Sequence, residues 1–301
     1  MKTFSNLITL FLLLNIVSPA LAGSSPSLDA PNQFIKAGNN KIAYRMIGKG
    51  NPMILCNRFR GILDSWDPAF LDALAKSYRV IIFDYPGIGL SPGQLSPTIL
   101  GVATSVKELA DALKINKFKL LGWSYGGAVA QTFAANFPER VSHLVLIGAS
   151  PPGKNQAPVE QAFLDAAFKP VNDLNDEEIL FFEPNSPASV AAAKASHERI
   201  AGRKKDRSKK VTPDAFQHYF KGIGDYQADI HGSREKLATT PIPILIISGD
   251  HDPSCPVENW YPLIKKWKTA QLLIIPNTGH GVQHELPAYC ASNMRLFTDN
   301  R

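Results

Sequence analysis

The 301-residue chain reads as an α/β protein, with a mostly parallel central sheet, helices on both faces and an inserted helical cap. Three observations predict this. Short apolar runs alternate with helical patterns from residue 33 to 147. Continuous runs of that length suit strands buried on both faces, as in a parallel sheet covered by helices. The alternation stops between about residues 151 and 236, where only helical patterns occur, and it resumes from residue 237.

The elements follow in order. Residues 41–47 (KIAYRMI) and 53–56 (MILC) read as strands separated by the turn residues Gly48-Lys49-Gly50-Asn51. A helical pattern covers residues 66–77, and residues 79–84 (RVIIFD) form the next buried strand. Ser96-Pro97, a capping residue with proline at the first helical position, opens a helix reaching Leu113. Residues 117–122 (KFKLLG) and 142–147 (SHLVLI) read as strands flanking a helix over 126–137, which stops before Pro138. In the interruption, residues 188–200 and 213–221 are helical. Charge there is segregated: residues 160–183 carry seven acids and one lysine, and residues 194–210 carry eight bases and two acids. The basic run 203–210 (RKKDRSKK) reads as a solvated helix end or loop, with a patch steering an anionic substrate as its alternative. Residues 242–248 (IPILIIS), a helix around 257–267, residues 272–275 (LLII) and a helix through Phe297 complete the pattern. The expected division is a signal peptide over 1–22, core over 23–150, cap over 151–236 and core again over 237–301.

Composition narrows the class without naming a function. With 45% hydrophobic and 19% charged residues, collagen, coiled coil and disorder are excluded. The net charge of +6 is mild for this length, so no nucleic-acid partner is expected. At the N-terminus, Lys2 precedes an apolar run from Leu7 to Val17 and an Ala20-Leu21-Ala22 end. The run falls short of the roughly 20 residues needed to span a bilayer and has the form of a secretory signal cut after Ala22. The expectation is export, secreted or periplasmic, with no stable membrane span after cleavage. Three cysteines leave an odd thiol. Cys56 sits in a buried run, so a disulfide, if one forms, is expected between Cys255 and Cys290.

The chemistry-bearing signal is Gly122-Trp123-Ser124-Tyr125-Gly126, placed between a buried strand and a helix. On so sharp a turn the serine hydroxyl projects above the sheet edge, and the flanking glycines make room where a Cβ would clash. The helix start adds N–H groups for a developing anion. A serine nucleophile needs a base and an orienting carboxylate, in the order Ser, acid, His on such a fold. Asp250 and Asp252 follow the strand ending at Ser248, and His280 follows the strand ending at Ile275. Both lie where open α/β sheets place their sites. His280 is the expected base and Asp252 its acid, with Asp250 competing. His284 stands at i+4 from His280, but no HExxH or nearby ligand cluster completes a metal site, so no metal is expected.

With these residues in view, the chain resembles the α/β-hydrolase family, in its serine-esterase branch with a helical cap. Two further segments carry the resemblance: Asp84-Tyr85-Pro86-Gly87-Ile88-Gly89-Leu90-Ser91, similar to the family's D-x-x-G-x-G-x-S loop, and Pro138-Glu139-Arg140-Val141. The resemblance implies ester hydrolysis of a small-molecule substrate through an acyl-enzyme, with no cofactor. It places the oxyanion-binding N–H groups on Phe59 and Tyr125. Trp123, before the nucleophile, is similar to the arrangement in carboxylesterases acting on methyl esters of acyl chains, which implies substrate binding. One departure stands out: Asn57-Arg58 occupy the family's His-Gly positions. Amide or peptide cleavage, cofactor-free perhydrolysis and a slow-turnover ligand receptor use the same residues and stay open.

Overall fold

A computed structural model describes residues 25–300, so the expected signal peptide over 1–22 lies outside the described residues. Eight strands form one sheet: β1 (Gln33–Ala37), β2 (Asn40–Ile47), β3 (Asn51–Cys56), β4 (Tyr78–Phe83), β5 (Phe118–Trp123), β6 (Val141–Ile147), β7 (Ile244–Gly249) and β8 (Ala270–Ile275). Their order is β1-β2-β4-β3-β5-β6-β7-β8. β2 pairs antiparallel with both neighbours, and every other pairing is parallel. The order reverses at β3, which lies between β4 and β5 although it precedes both. Such a switch opens a crevice at the C-terminal strand ends.

The helices are α1 (Pro26–Asp29), α2 (Pro68–Ala75), α3 (Ile99–Ala112), α4 (Tyr125–Asn136), α5 (Gln161–Ala167), α6 (Leu174–Phe181), α7 (Pro187–Ile200), α8 (Phe216–Gln227), α9 (Ser233–Ala238), α10 (Tyr261–Ile264), α11 (Val282–Glu285) and α12 (Pro287–Asp299). Because side chains alternate along a strand, each central strand feeds two cores. Ile54, Leu120, Leu144 and Ile246 pack with Val106 of α3 and Phe133 of α4. Leu55, Leu121, Val145 and Ile247 pack on the other face with Phe70 of α2 and Met294 of α12. Both faces are dry, which is why these strands read as unbroken apolar runs.

Between β6 and β7 the described chain forms helices α5–α9 and no strand. Three local expectations are corrected. Strand β1 was not anticipated; as an edge strand with alternate exposed residues it lacks an apolar run. Helix α3 begins at Ile99, not at Ser96-Pro97, because Thr98 takes the cap position and its side chain accepts from the Gly101 N–H at 3.2 Å. The helix expected around 257–267 is broken into a 3-10 turn, Val257–Trp260, and the single turn α10. No helix among the described residues is long and apolar enough to cross a membrane.

Candidate active site

β5 ends at Trp123 and α4 begins at Tyr125, leaving Ser124 as a one-residue hinge at φ 56°, ψ −119°. That conformation is strained for a side-chain-bearing residue and is held only because its surroundings leave no alternative. A Cβ on Gly122 would strike the Gly126 carbonyl, and one on Gly126 would strike the Cys56 carbonyl. Helix α4 therefore starts hard against the end of β3, beside the 57–62 turn. Ser124 is half-buried and makes no hydrogen bond through its hydroxyl among the described residues.

The predicted acid and base are brought together. His280 Nδ1 lies 2.8 and 2.9 Å from the two oxygens of Asp252, with both residues almost fully buried. A carboxylate only accepts, so Nδ1 carries the proton and Nε2 presents its lone pair. Nε2 is buried with no partner among the described residues, and His280 lines the same small cavity as Ser124. Asp252 Oδ1 also accepts from the N–H groups of Ser254 and Cys255, at 2.8 and 2.7 Å, which fixes the carboxylate. Asp250 is excluded as the partner: it faces solvent and bonds His251 Nδ1 at 2.7 Å.

Gly148, after β6, completes this pair and was not singled out in the sequence. It sits at φ +47°, and a Cβ there would lie 2.5 Å from the His280 carbonyl and 2.9 Å from Nδ1. Only glycine tolerates both the backbone angle and the approach.

Two expectations change. Trp123 lines neither cavity at the site; it is fully buried, packs at tilted or edge-on angles against Trp66, Phe181 and His284, and donates from Nε1 to the His280 carbonyl at 3.1 Å. Its strand position sends the indole under the sheet edge, against the loop that carries the base. Cys255 and Cys290 are not bonded, and all three thiols are free. Cys290 is buried under the α12 face, whereas Cys255 lines the cavity above the strand ends. His284 lines neither cavity at the site. It is buried, accepts from the Asp67 N–H at 3.3 Å, and loss of hydration pulls its pKa down to about 4. One His/Cys/acid group does converge among the described residues, Asp252, Cys255 and His280, within 4.8 Å. Two of its members are already bonded to each other. Burial pushes the Cys255 thiol up to about 12, away from the thiolate that a metal takes.

The Asn57-Arg58-Phe59 departure has a clear architecture. Asn57 closes the loop itself: its Nδ2 donates to the Ile62 carbonyl at 2.7 Å and its Oδ1 accepts from the Arg58 N–H at 2.9 Å. The Phe59 N–H has no acceptor among the described residues, and Phe59, Ser124 and Phe163 border both cavities. One cavity, about 20 Å³, is lined by Arg58, Arg60, Ser124, Phe181 and His280. The other, about 720 Å³, runs from Ser124 past Tyr125, Tyr219, Phe220 and Ile223 to Cys255. The Arg58 guanidinium lies 4.4 Å over the Phe181 ring and 5.2 Å over the Trp123 ring. Desolvation lowers its pKa to about 10, so it stays charged at neutral pH.

A strand-end serine beside a buried carboxylate–imidazole pair, on this sheet order, defines the α/β hydrolases. Residues 51–287 match the model of the alpha/beta hydrolase fold, and the chain belongs to that family. Hydrolysis is accordingly the activity its fold and relatives support. It is 30% identical over 82% of its length to the dihydrolipoyllysine-residue acetyltransferase component of the acetoin cleaving system of Pseudomonas putida, spanning 63% of that protein. It is 29% identical over 76% of its length to a poly(3-hydroxyalkanoate) depolymerase of Ectopseudomonas oleovorans, spanning 77% of it. An alpha/beta hydrolase fold protein from Chitinophaga pinensis superposes with a TM-score of 0.80 at 26% identity, covering 91% of this chain and 99% of that one. These named reactions differ, so the fold does not carry one of them over.

Proposed function

We propose that the chain is a serine hydrolase cleaving carboxylic esters of small or acyl-chain substrates. The observation that carries this reading is the free Nε2 of His280, sharing a cavity with Ser124 while Asp252 holds Nδ1. Ser124 Oγ attacks the ester carbonyl as Nε2 takes its proton, giving a tetrahedral oxyanion. The N–H groups of Phe59 and Tyr125 receive that charge, each donor contributing roughly 3–4 kcal/mol. Nε2 returns the proton to the leaving alcohol, and the acyl group stays on Ser124. Water, deprotonated by Nε2, then releases the acid and restores the serine.

The large cavity, bordered by Phe163, Phe168, Phe220 and Ile223, suits an apolar acyl or alcohol portion. Ser124→Ala is expected to lower turnover of short p-nitrophenyl esters by at least about a thousandfold. The same change should abolish labelling by a fluorophosphonate probe. Turnover and labelling that persist in Ser124→Ala would overturn the reading, and ligand-induced stabilisation of the wild type without turnover would favour a receptor.

A further inference from the structure

We propose that Arg58 forms an anion subsite beside Ser124, so that the preferred substrate carries a carboxylate near the ester as well as an apolar portion; this rests on the ester-hydrolase reading. A guanidinium has five N–H donors. Arg58 spends one, from Nη1 to the Phe59 carbonyl at 2.8 Å. Its Nε is buried and unpartnered, and Nη2 makes no hydrogen bond among the described residues. No carboxylate among them pairs with Arg58; Glu177, whose charge acts on it, holds His197 Nδ1 at 2.8 Å. Two aromatic faces attract the cation but satisfy none of its donors.

The neighbouring Arg60 shows the contrast. It also lines the small cavity, yet three of its five donors go to the carbonyls of Ala167, Lys169 and Pro170. Arg60 fastens a loop, whereas Arg58 keeps a desolvated charge with donors to spare. Such a charge is costly unless a counter-anion completes it. A planar carboxylate matches the guanidinium fork. The cavity of about 20 Å³ is near the size of one or two water-sized spheres, which restricts the group to a small one. Arg58 immediately precedes Phe59, so the anion would lie close to the oxyanion donors. The apolar remainder of the substrate would then extend into the 720 Å³ cavity on the other side of Ser124.

The experiment compares matched esters on the full protein. One arm sets p-nitrophenyl half-esters of glutarate and adipate against p-nitrophenyl pentanoate and hexanoate. The other sets butyrate esters of 3-hydroxybenzoate against those of its methyl ester, which moves the carboxylate to the leaving group. In at least one arm wild-type kcat/KM is expected to favour the charged member by roughly 10- to 100-fold. Arg58→Gln should bring that ratio close to one, and Arg58→Lys should retain part of it. A wild-type ratio at or below one in both arms overturns the subsite, and that readout does not depend on any variant folding. A ratio unchanged in Arg58→Gln also overturns it. Neutral-ester turnover with Ser124 labelling, but no charged preference, removes the subsite and leaves the hydrolase reading intact. Neither turnover nor labelling removes both.

Discussion

At the scale of single residues, the site depends on two strained or crowded positions. Ser124 carries a positive φ because its strand, helix and the β3 terminus converge on it. Gly148 carries one because the His280–Asp252 pair occupies the space of its missing Cβ. Gly148→Ala should cost roughly 1–2 kcal/mol from the backbone angle alone. Shifting the imidazole by a fraction of an ångström should also lower kcat by about a hundredfold with little change in KM. Urea unfolding and steady-state kinetics check the two parts; lost stability at unchanged kcat would show that the glycine serves the fold alone. Ser124, His280 and the pair Asp250 and Asp252 were legible in the sequence as candidates because each sits in a local motif at a strand end. Gly148 and Trp123 were not, since their roles depend on what lies across β6 or under β5. Asp250 and Asp252 were separated only by three-dimensional contacts, as they differ by two positions in one turn.

At the scale of elements, the Asp84–Ser91 loop acts as a brace. The Asp84 carboxylate accepts from the N–H groups of Leu63 and Leu90, at 2.7 and 2.8 Å, and from the Ser208 hydroxyl at 2.5 Å. Ser91 Oγ donates to the Asp84 carbonyl and accepts from the Ala43 N–H. One buried side chain thus ties together the loop after β3, the loop after β4 and the basic run. Asp84→Asn keeps the volume but replaces an acceptor oxygen with a donor among these donors. A loss of about 1–3 kcal/mol in unfolding free energy is expected by urea titration at pH 7.5. An unchanged midpoint would count against the brace. The central strands could be read from their apolar runs because both faces are buried. Edge strand β1 and the cap of α3 could not, being set by pairing with β2 and by competition between Ser96 and Thr98 for one helix start.

At the scale of the whole molecule, the basic excess is partly structural. Arg203 donates to the carbonyls of Leu28 and Ala30, and Arg234 to those of Pro152 and Lys154. Arg199 of α7 grips Asp67 at 2.6–3.1 Å and the His284 carbonyl at 3.3 Å. The run 203–210 is therefore not a wholly solvated loop, since Arg203 and Ser208 are buried.

This latch gives the stability of the molecule a particular dependence on pH. His284 sits behind it with a pKa lowered by burial from 6.5 to about 4. As pH falls below 6.5 the unfolded chain takes up a proton that the folded chain refuses, so stability is lost between 6.5 and 4. Asp84 has the opposite sign: burial raises its pKa from 3.8 to about 6, so the folded chain binds a proton first and gains stability as pH falls from 6 to 3.8. The two offset only in part around pH 5, with His284 contributing a loss of about 2 kcal/mol and Asp84 a gain of about 1 kcal/mol. His284→Asn removes one side of that balance. Urea titrations at pH 7.5 and 5.0 should show the wild type losing about 2 kcal/mol more than the variant on acidification. Equal losses in the two proteins would mean that His284 titrates in the fold much as it does in the unfolded chain, and that its burial behind the α7 latch does not hold in solution.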